Sequence, residues 1–255
     1  MRVLDLFSGI GGFSLGLERA GMETVAFCEI DPFCRNLLNK NWPGVPVYED
    51  VTELTYEKLQ SDGITDIDVI SGGFPCQDLS YAGNQAGIEA ERSGLWSECK
   101  RLVGEIRPRY AVFENVTALT SGDDGRWFAR VLRDLASIGF DAEWHCIPGF
   151  YVGAPQCRDR VWIIAYPSGN TTQELEMVGQ IIHNRQVQGE LGRMGRSAWD
   201  EWDADRSPLV GVAHGISAKL DGTGTWGDRT KSLGNSVIPQ IPEMIGKAII
   251  ERDAA

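Results

Sequence analysis

Apolar residues along this chain come in short runs, separated by stretches with helical spacing. The first run, Arg2 to Phe7, predicts a buried strand. Ser8-Gly9-Ile10-Gly11-Gly12-Phe13 predicts a glycine-rich turn, and Ser14 to Ala20 a helix stopped by Gly21. Thr24 to Ile30 repeats the strand pattern with an acid, Glu29, at its tip, and Asp31 ahead of Pro32 fits a helix N-cap. Val45 to Tyr48, Asp68 to Ile70, Tyr110 to Val116, Asp141 to Ile147 and Arg160 to Tyr166 predict further strands. Leu95 to Ile106 and Arg126 to Ile138 have helical spacing, ended by Pro108 and Gly139. Strands alternating with helices predict an α/β fold that starts as a Rossmann-like βαβ unit.

Two stretches break the pattern. Gln77 to Gly94 is polar, carries Gly83, Gly87 and Gly94, and has no sustained apolar period. A long loop of this kind beside a site predicts a lid. After Pro167 the chain turns polar through residue 230, rich in Gly, Trp and charge. That predicts a small irregular second unit over 167–230, with 1–166 and 231–255 forming the main domain. Ser232 to Pro239 predicts a tight turn. Pro242 to Arg252 predicts an amphipathic helix, with Met244, Ile245, Ala248 and Ile249 on the face that packs against the main domain.

Composition narrows the picture. The 255 residues are 42% hydrophobic, ordinary for a globular protein. No apolar run is long enough to span a membrane. The start of the chain is too soon acidic for a signal peptide, so a cytoplasmic protein is expected. The six cysteines form no CxxC pair, so reduced thiols and no metal site are expected. The net charge of -12 excludes nucleic-acid binding by bulk charge and requires a local basic face for any such contact.

The candidate chemistry lies at strand ends. Ile70-Ser71-Gly72-Gly73-Phe74-Pro75-Cys76-Gln77 runs from a strand into a turn stiffened by proline, which holds the Cys76 thiol in one place. Cys76 reads as a nucleophile; a buried structural cysteine is the alternative. A carboxylate placed as Glu29 is accepts hydrogen bonds from ribose hydroxyls. Asp50 could accept one from an adenine amino group, or be a surface acid. Arg158 and Arg160 alternate along an extended segment and share one side of it. A salt bridge to Glu114 or Asp159 is their simplest structural use.

Taken together, these stretches resemble the DNA (cytosine-5)-methyltransferase family. Asp5-Leu6-Phe7-Ser8-Gly9-Ile10-Gly11-Gly12-Phe13 is similar to its cofactor loop, and Gly73-Phe74-Pro75-Cys76-Gln77 with Ser80 to its nucleophile motif. Glu114-Asn115-Val116, then Gln156, Arg158 and Arg160, then Gly234-Asn235-Ser236-Val237 follow in family order. The resemblance implies a Rossmann-like S-adenosylmethionine-dependent methyltransferase fold with a mostly parallel sheet and a small target-recognition domain. It implies Cys76, Glu114, Arg158 and Arg160 as the catalytic set. It implies an S-adenosyl-L-methionine site of Phe7, Ser8, Gly9, Ile10, Gly12, Glu29, Ile30, Asp50, Val51, Gly73, Pro75, Leu95, Asn235, Ser236 and Val237. Gln77, Ser80 and Arg92 would meet DNA, and 77–94 would be the closing loop. The implied partner is double-stranded DNA, with the chain a monomer of a restriction-modification system and any cognate endonuclease dispensable for activity. Pro208 to Gly215 departs from the family, which carries Arg-Leu-Thr there. Three other readings compete: an RNA cytosine-5 methyltransferase, a catalytically silent DNA-binding relative, and a nicotinamide dehydrogenase.

Overall fold

The computed structural model describes residues 1–75, 93–154, 158–169, 232 and 234–254. In chain order the elements are β1 (Arg2–Leu6), α1 (Gly12–Arg19), β2 (Glu23–Cys28), α2 (Pro32–Asn41), β3 (Val47–Tyr48), α3 (Tyr56–Ser61) and β4 (Val69–Gly73). There follow α4 (Trp96–Ile106), β5 (Tyr110–Val116), α5 (Ala118–Ser121), α6 (Arg126–Ser137), β6 (Phe140–Ile147), β7 (Arg160–Pro167) and α7 (Gln240–Asp253).

The strands form one sheet in the order β3-β2-β1-β4-β5-β7-β6. Parallel pairing links β3, β2, β1, β4 and β5. β7 runs antiparallel to both β5 and β6. The expectation of a mostly parallel sheet holds, with β7 the reversed strand. It enters the sheet at the edge where β5 leaves it: Val116 pairs with Arg160.

Both faces of the sheet are covered, which explains why its strands read as nearly continuous apolar runs. Alternate residues go to opposite sides. Leu4, Leu6, Ile70, Ala111 and Phe113 pack with Trp96, Leu102, Val103, Val131 and Leu135 of α4 and α6. Val3, Val69, Val112 and Ile164 pack with Phe13 and Leu17 of α1 and with Ile245 and Ile249 of α7. Each such side chain contributes roughly 1.5–3 kcal/mol by leaving water.

The helix expected at 242–252 therefore does bury Met244, Ile245, Ala248 and Ile249 on the main domain. Glycines bring it close to α1. A Cβ on Gly12 would stand 2.8 Å from Val237 Cγ2, and one on Gly246 2.8 Å from Ala20 Cβ. The late segment is thereby pressed against the loop that opens the chain.

Some local expectations shift. Phe7 leaves β1 with φ 51, so the first strand ends one residue early. Only Val47 and Tyr48 of the third run pair with β2. The Asp31 carboxylate accepts from Phe33 N at 2.9 Å and caps α2, with Pro32 in its first turn. From the sequence α2 has an expected cap but no expected length, and the short α3 and α5 are not among the expected elements.

Candidate active site

Strand order reverses beside β1: the chain builds outward through β2 and β3, then returns to lay β4 on the other side of β1. In open α/β sheets the crevice beyond the carboxyl ends of such strands holds ligands. Here the two halves of the site come from opposite sides of that point.

The first half is the turn after β1. Phe7 and Gly9 both take left-handed backbone, φ 51 and φ 53. Such a conformation in a non-glycine residue costs of order 1–3 kcal/mol and persists only when its surroundings hold it. They do. Ser8 N and Oγ reach Cys28 O at 3.2 and 3.3 Å. Ser8 Oγ also donates to Asp5 O at 2.6 Å. Glu29 Oε2 accepts from Gly9 N at 2.7 Å, and its Oε1 from Asp31 N at 2.8 Å. Ile30 beside it is 67% exposed.

The second half is made by β4, β5 and β7. Register sets Gly73 opposite Glu114 and Glu114 opposite Trp162. Because β7 is antiparallel, Arg158 and Arg160 arrive at the edge where Glu114 sits. Arg160 Nε lies 2.9 Å from Glu114 Oε1. This is contact between charges, since Oε1 has no aligned hydrogen-bond donor among the described residues. Burial pushes the Glu114 carboxyl above its usual range, and the charges of Arg160 and Arg158 oppose that shift. Arg158 Nη1 donates to Gly234 O at 2.7 Å, joining this half to the late turn. Asn115 Nδ2 donates to Phe74 O at 3.2 Å and steadies the turn before Cys76. The Phe74 ring packs on Trp96 with centroids 5.1 Å apart.

A cavity of about 360 Å³ joins the halves. Its walls include Phe7, Gly9, Glu29, Ile30, Gly73, Pro75, Glu114, Arg158, Arg160 and Asn235. A smaller one of about 50 Å³ is lined by Ser8, Gly12, Ser236 and Val237, again with Glu114. Thus fourteen of the residues predicted from sequence share one crevice.

Others do not line either cavity. Ile10 is buried against Cys34 and Leu37. Asp50 is half-buried and accepts from Thr52 N and Oγ1, both at 2.8 Å. Val51 belongs to the core, and Leu95, half-buried, packs against it. Cys76, Gln77, Ser80, Arg92 and Gln156 lie outside the described residues, as do 170–230 and all of the loop 77–94 but its last two positions. Sequence reasoning missed Asp31, Cys34, Val116 and Ser232 in the cavity wall. Asp31 carried a signal as a helix cap, and Val116 as the last residue of the Glu114-Asn115-Val116 motif.

With this geometry in place, the relatives can be compared. The model of the C-5 cytosine-specific DNA methylase family matches residues 1–200. The chain belongs to that family. It is similar to the type II methyltransferase M2.BsuMI of Bacillus subtilis, 37% identical over 65% of this chain and 42% of that protein. It is 32% identical to the type II methyltransferase M.AquIA of Picosynechococcus, over 68% of this chain and 74% of that one. The chain spans about two fifths of the length of M2.BsuMI and of M.Eco47II from Escherichia coli. Among solved structures, a presumed DNA modification methyltransferase encoded within an Escherichia coli prophage superposes with a TM-score of 0.69 at 20% identity, covering 100% of both chains. That likeness bears on the fold, a Rossmann-like methyltransferase sheet. Among the described residues, no helix is long and apolar enough to cross a membrane.

Proposed function

We propose that the protein transfers a methyl group from S-adenosylmethionine to C5 of a cytosine flipped out of duplex DNA. One observation carries the reading: a single cavity has the glycine turn and Glu29 at one wall and the Glu114–Arg160 pair at the other. The turn that leads into Cys76 forms its edge through Gly73, Phe74 and Pro75. Family membership and the names of the relatives support the reaction class.

The residues present suit the cofactor. The cavity has the size of an ordinary ligand pocket. No atom of the described residues lies within 4 Å of where a Gly9 side chain would stand, so a ligand can approach the backbone there. Phe7 and the exposed Ile30 would cover an adenine ring, Glu29 would meet ribose, and residues 9–12 with Asn235, Ser236 and Val237 would hold the methionine end. S-adenosylmethionine, when bound, supplies the electrophilic methyl group that an activated C5 accepts.

The chain's own residues activate C5. The Cys76 thiolate adds to C6, breaks the ring's conjugation and makes C5 enamine-like. Loss of the C5 proton and expulsion of the thiol later restore the ring. Glu114, buried and with its carboxyl pushed above the usual range, would hold N3 and the exocyclic amine and stabilise charge that forms on the ring. Arg160 would hold the cytosine O2 and Arg158 the neighbouring phosphate, while both favour the thiolate. The target carbon is out of reach inside a duplex, so the base must leave the stack. Residues 167–230 would select the sequence. Gln77, Ser80 and Arg92 would grip the displaced nucleotide and its phosphates. The chain would act as a monomer, without help from a cognate endonuclease.

Duplex DNA incubated with the protein and methyl-labelled S-adenosylmethionine should gain label at cytosine C5, mapped by bisulfite sequencing. Cys76→Ser should transfer none. Label on RNA alone would move the substrate to RNA. Tight NADH binding with none of S-adenosylmethionine would overturn the assignment.

A further inference from the structure

The first strand carries a charge where its pattern calls for an apolar residue. Val3 and Asp5 point to the same face of β1, and Val69 and Ser71 to the same face of β4. The valines pack under α1 in the apolar core. Asp5 and Ser71 sit side by side in register at the same depth. Both are completely buried.

Asp5 uses its two oxygens on two different elements. Oδ2 accepts from Ser14 Oγ of α1 at 2.8 Å, and Oδ1 from Ser71 Oγ of β4 at 2.9 Å. The Ser14 backbone N–H also points to it. The Gly11 that precedes α1 has no side chain to cap the helix, so Asp5 reaches the first turn from outside the helix's own sequence. Ser14 follows the glycine turn directly. Ser71 lies two residues before Gly73, at the start of the turn into Cys76. The carboxylate therefore bridges the loop that would hold the cofactor and the strand that delivers the nucleophile.

We propose that Asp5 is a positioning residue that fixes the glycine turn to the nucleophile strand, and that it does so in its ionised form. The chemistry follows from counting donors. As a carboxylate, Asp5 accepts from both hydroxyls at once. When protonated, one oxygen becomes a donor, and the serine it meets must accept and turn its own hydrogen away from Asp5. Below the Asp5 pKa one of the two hydrogen bonds is therefore reversed, and a buried serine hydroxyl loses the carboxylate as its acceptor. The surroundings of Asp5 put that change near neutrality: burial raises the pKa to about 7 against the pull of Ser14 and Ser71. Among the described residues the other charge that faces it is Glu29, beyond the end of β2, which acts in the same direction as burial. On α1, Glu18 and Arg19 lie a full turn beyond Ser14. β4 carries no charge. Glu114 on β5 stands two strands away and Arg160 on β7 three.

The identity of the ligand in the test rests on the methyl-transfer reading; the bridge itself does not. Calorimetry with S-adenosylhomocysteine, a stable neutral probe, at about pH 6 and about pH 8 tests the proposal. Wild type should bind roughly tenfold more weakly at the lower pH, the ratio of ionised fractions for a group titrating near 7. Asp5→Asn should bind weakly and equally at both. Ser14→Ala and Ser71→Ala each remove a donor, so each should move the fall in affinity to higher pH. They serve equally if Asp5→Asn does not fold. Asp5→Asn with wild-type affinity and wild-type pH dependence would overturn the proposal, and so would serine variants whose profile does not move. If wild type binds no S-adenosylhomocysteine at any pH, the methyl-transfer reading fails instead. The pH dependence of thermal unfolding then decides the bridge: a slope below about pH 7 that Asp5→Asn abolishes supports it, and identical slopes refute it.

Discussion

Glu29 and Glu114 stand at the same edge of one sheet and are equally buried, each 8% exposed. Their company differs. Glu29 has both oxygens engaged by backbone N–H groups of its own neighbourhood, Gly9 and Asp31. Glu114 faces Arg160 across 2.9 Å, and no donor among the described residues is aligned on its Oε1. The first arrangement spends hydrogen-bonding capacity on shaping a loop. The second keeps capacity in reserve and holds it under electrostatic tension. Burial of an acid does not make a reacting group; what matters is whether its partners leave something undone.

The largest test of this contrast is Glu114→Gln. It should lower single-turnover methyl transfer by roughly 10²–10³-fold, the scale for losing one charge-stabilising group. Cofactor affinity by calorimetry should change little. Equal loss of both would erase the difference between the two acids.

Glu29→Ala should do the reverse. It orphans Gly9 N and Asp31 N, at about 1–3 kcal/mol for each that water cannot reach. Thermal unfolding should shift down clearly and cofactor affinity should fall, while the rate at saturating cofactor holds.

The pH dependence of stability sharpens the comparison further. The Glu114 pKa is raised on folding, so between the unfolded and folded values the native state holds more protons. Stability is then greatest below the ordinary glutamate range and declines as pH rises through the folded pKa. Glu114→Gln should flatten part of that decline. The part extending to about pH 7 belongs to Asp5 and should survive. A Glu114→Gln profile that overlays the wild type would contradict this view of the site.

The smallest effect belongs to Ile30→Ser. The side chain is mostly in water, so stability should stay within about 0.5 kcal/mol of wild type. Cofactor affinity should still drop measurably, since the ring it would cover loses an apolar face.

Much of this was legible in the chain. Runs such as Tyr110 to Val116 announce a strand because both faces of the sheet are buried, and the motifs fall at strand ends because that is where the fold opens. What the pattern could not give was partnership. Nothing in Arg160 to Tyr166 says that β7 runs backwards between β5 and β6, yet that reversal brings Arg160 to Glu114. Asp50 reads from sequence as an adenine acceptor or a surface acid, and the pattern did not show that its Oδ1 accepts from Thr52, two residues on. Asp5 was visible only as the first residue of the stretch similar to the cofactor loop. Its role was not, because its partners lie on α1 and β4, and Ser71 is 66 positions away.

The central claim is that Cys76 attacks a cytosine held by Glu114 beside the cofactor cavity. Duplex DNA with 5-fluorocytosine in place of cytosine tests it directly, because fluorine at C5 cannot leave as a proton does and the thiol cannot be expelled. The account predicts a protein–DNA adduct that survives denaturation and requires S-adenosylmethionine. It should form slowly with Glu114→Gln, at the normal rate with Glu29→Ala at saturating cofactor, and not at all with Cys76→Ser. An adduct that persists in Cys76→Ser, or none on any substrate with wild type, would contradict it.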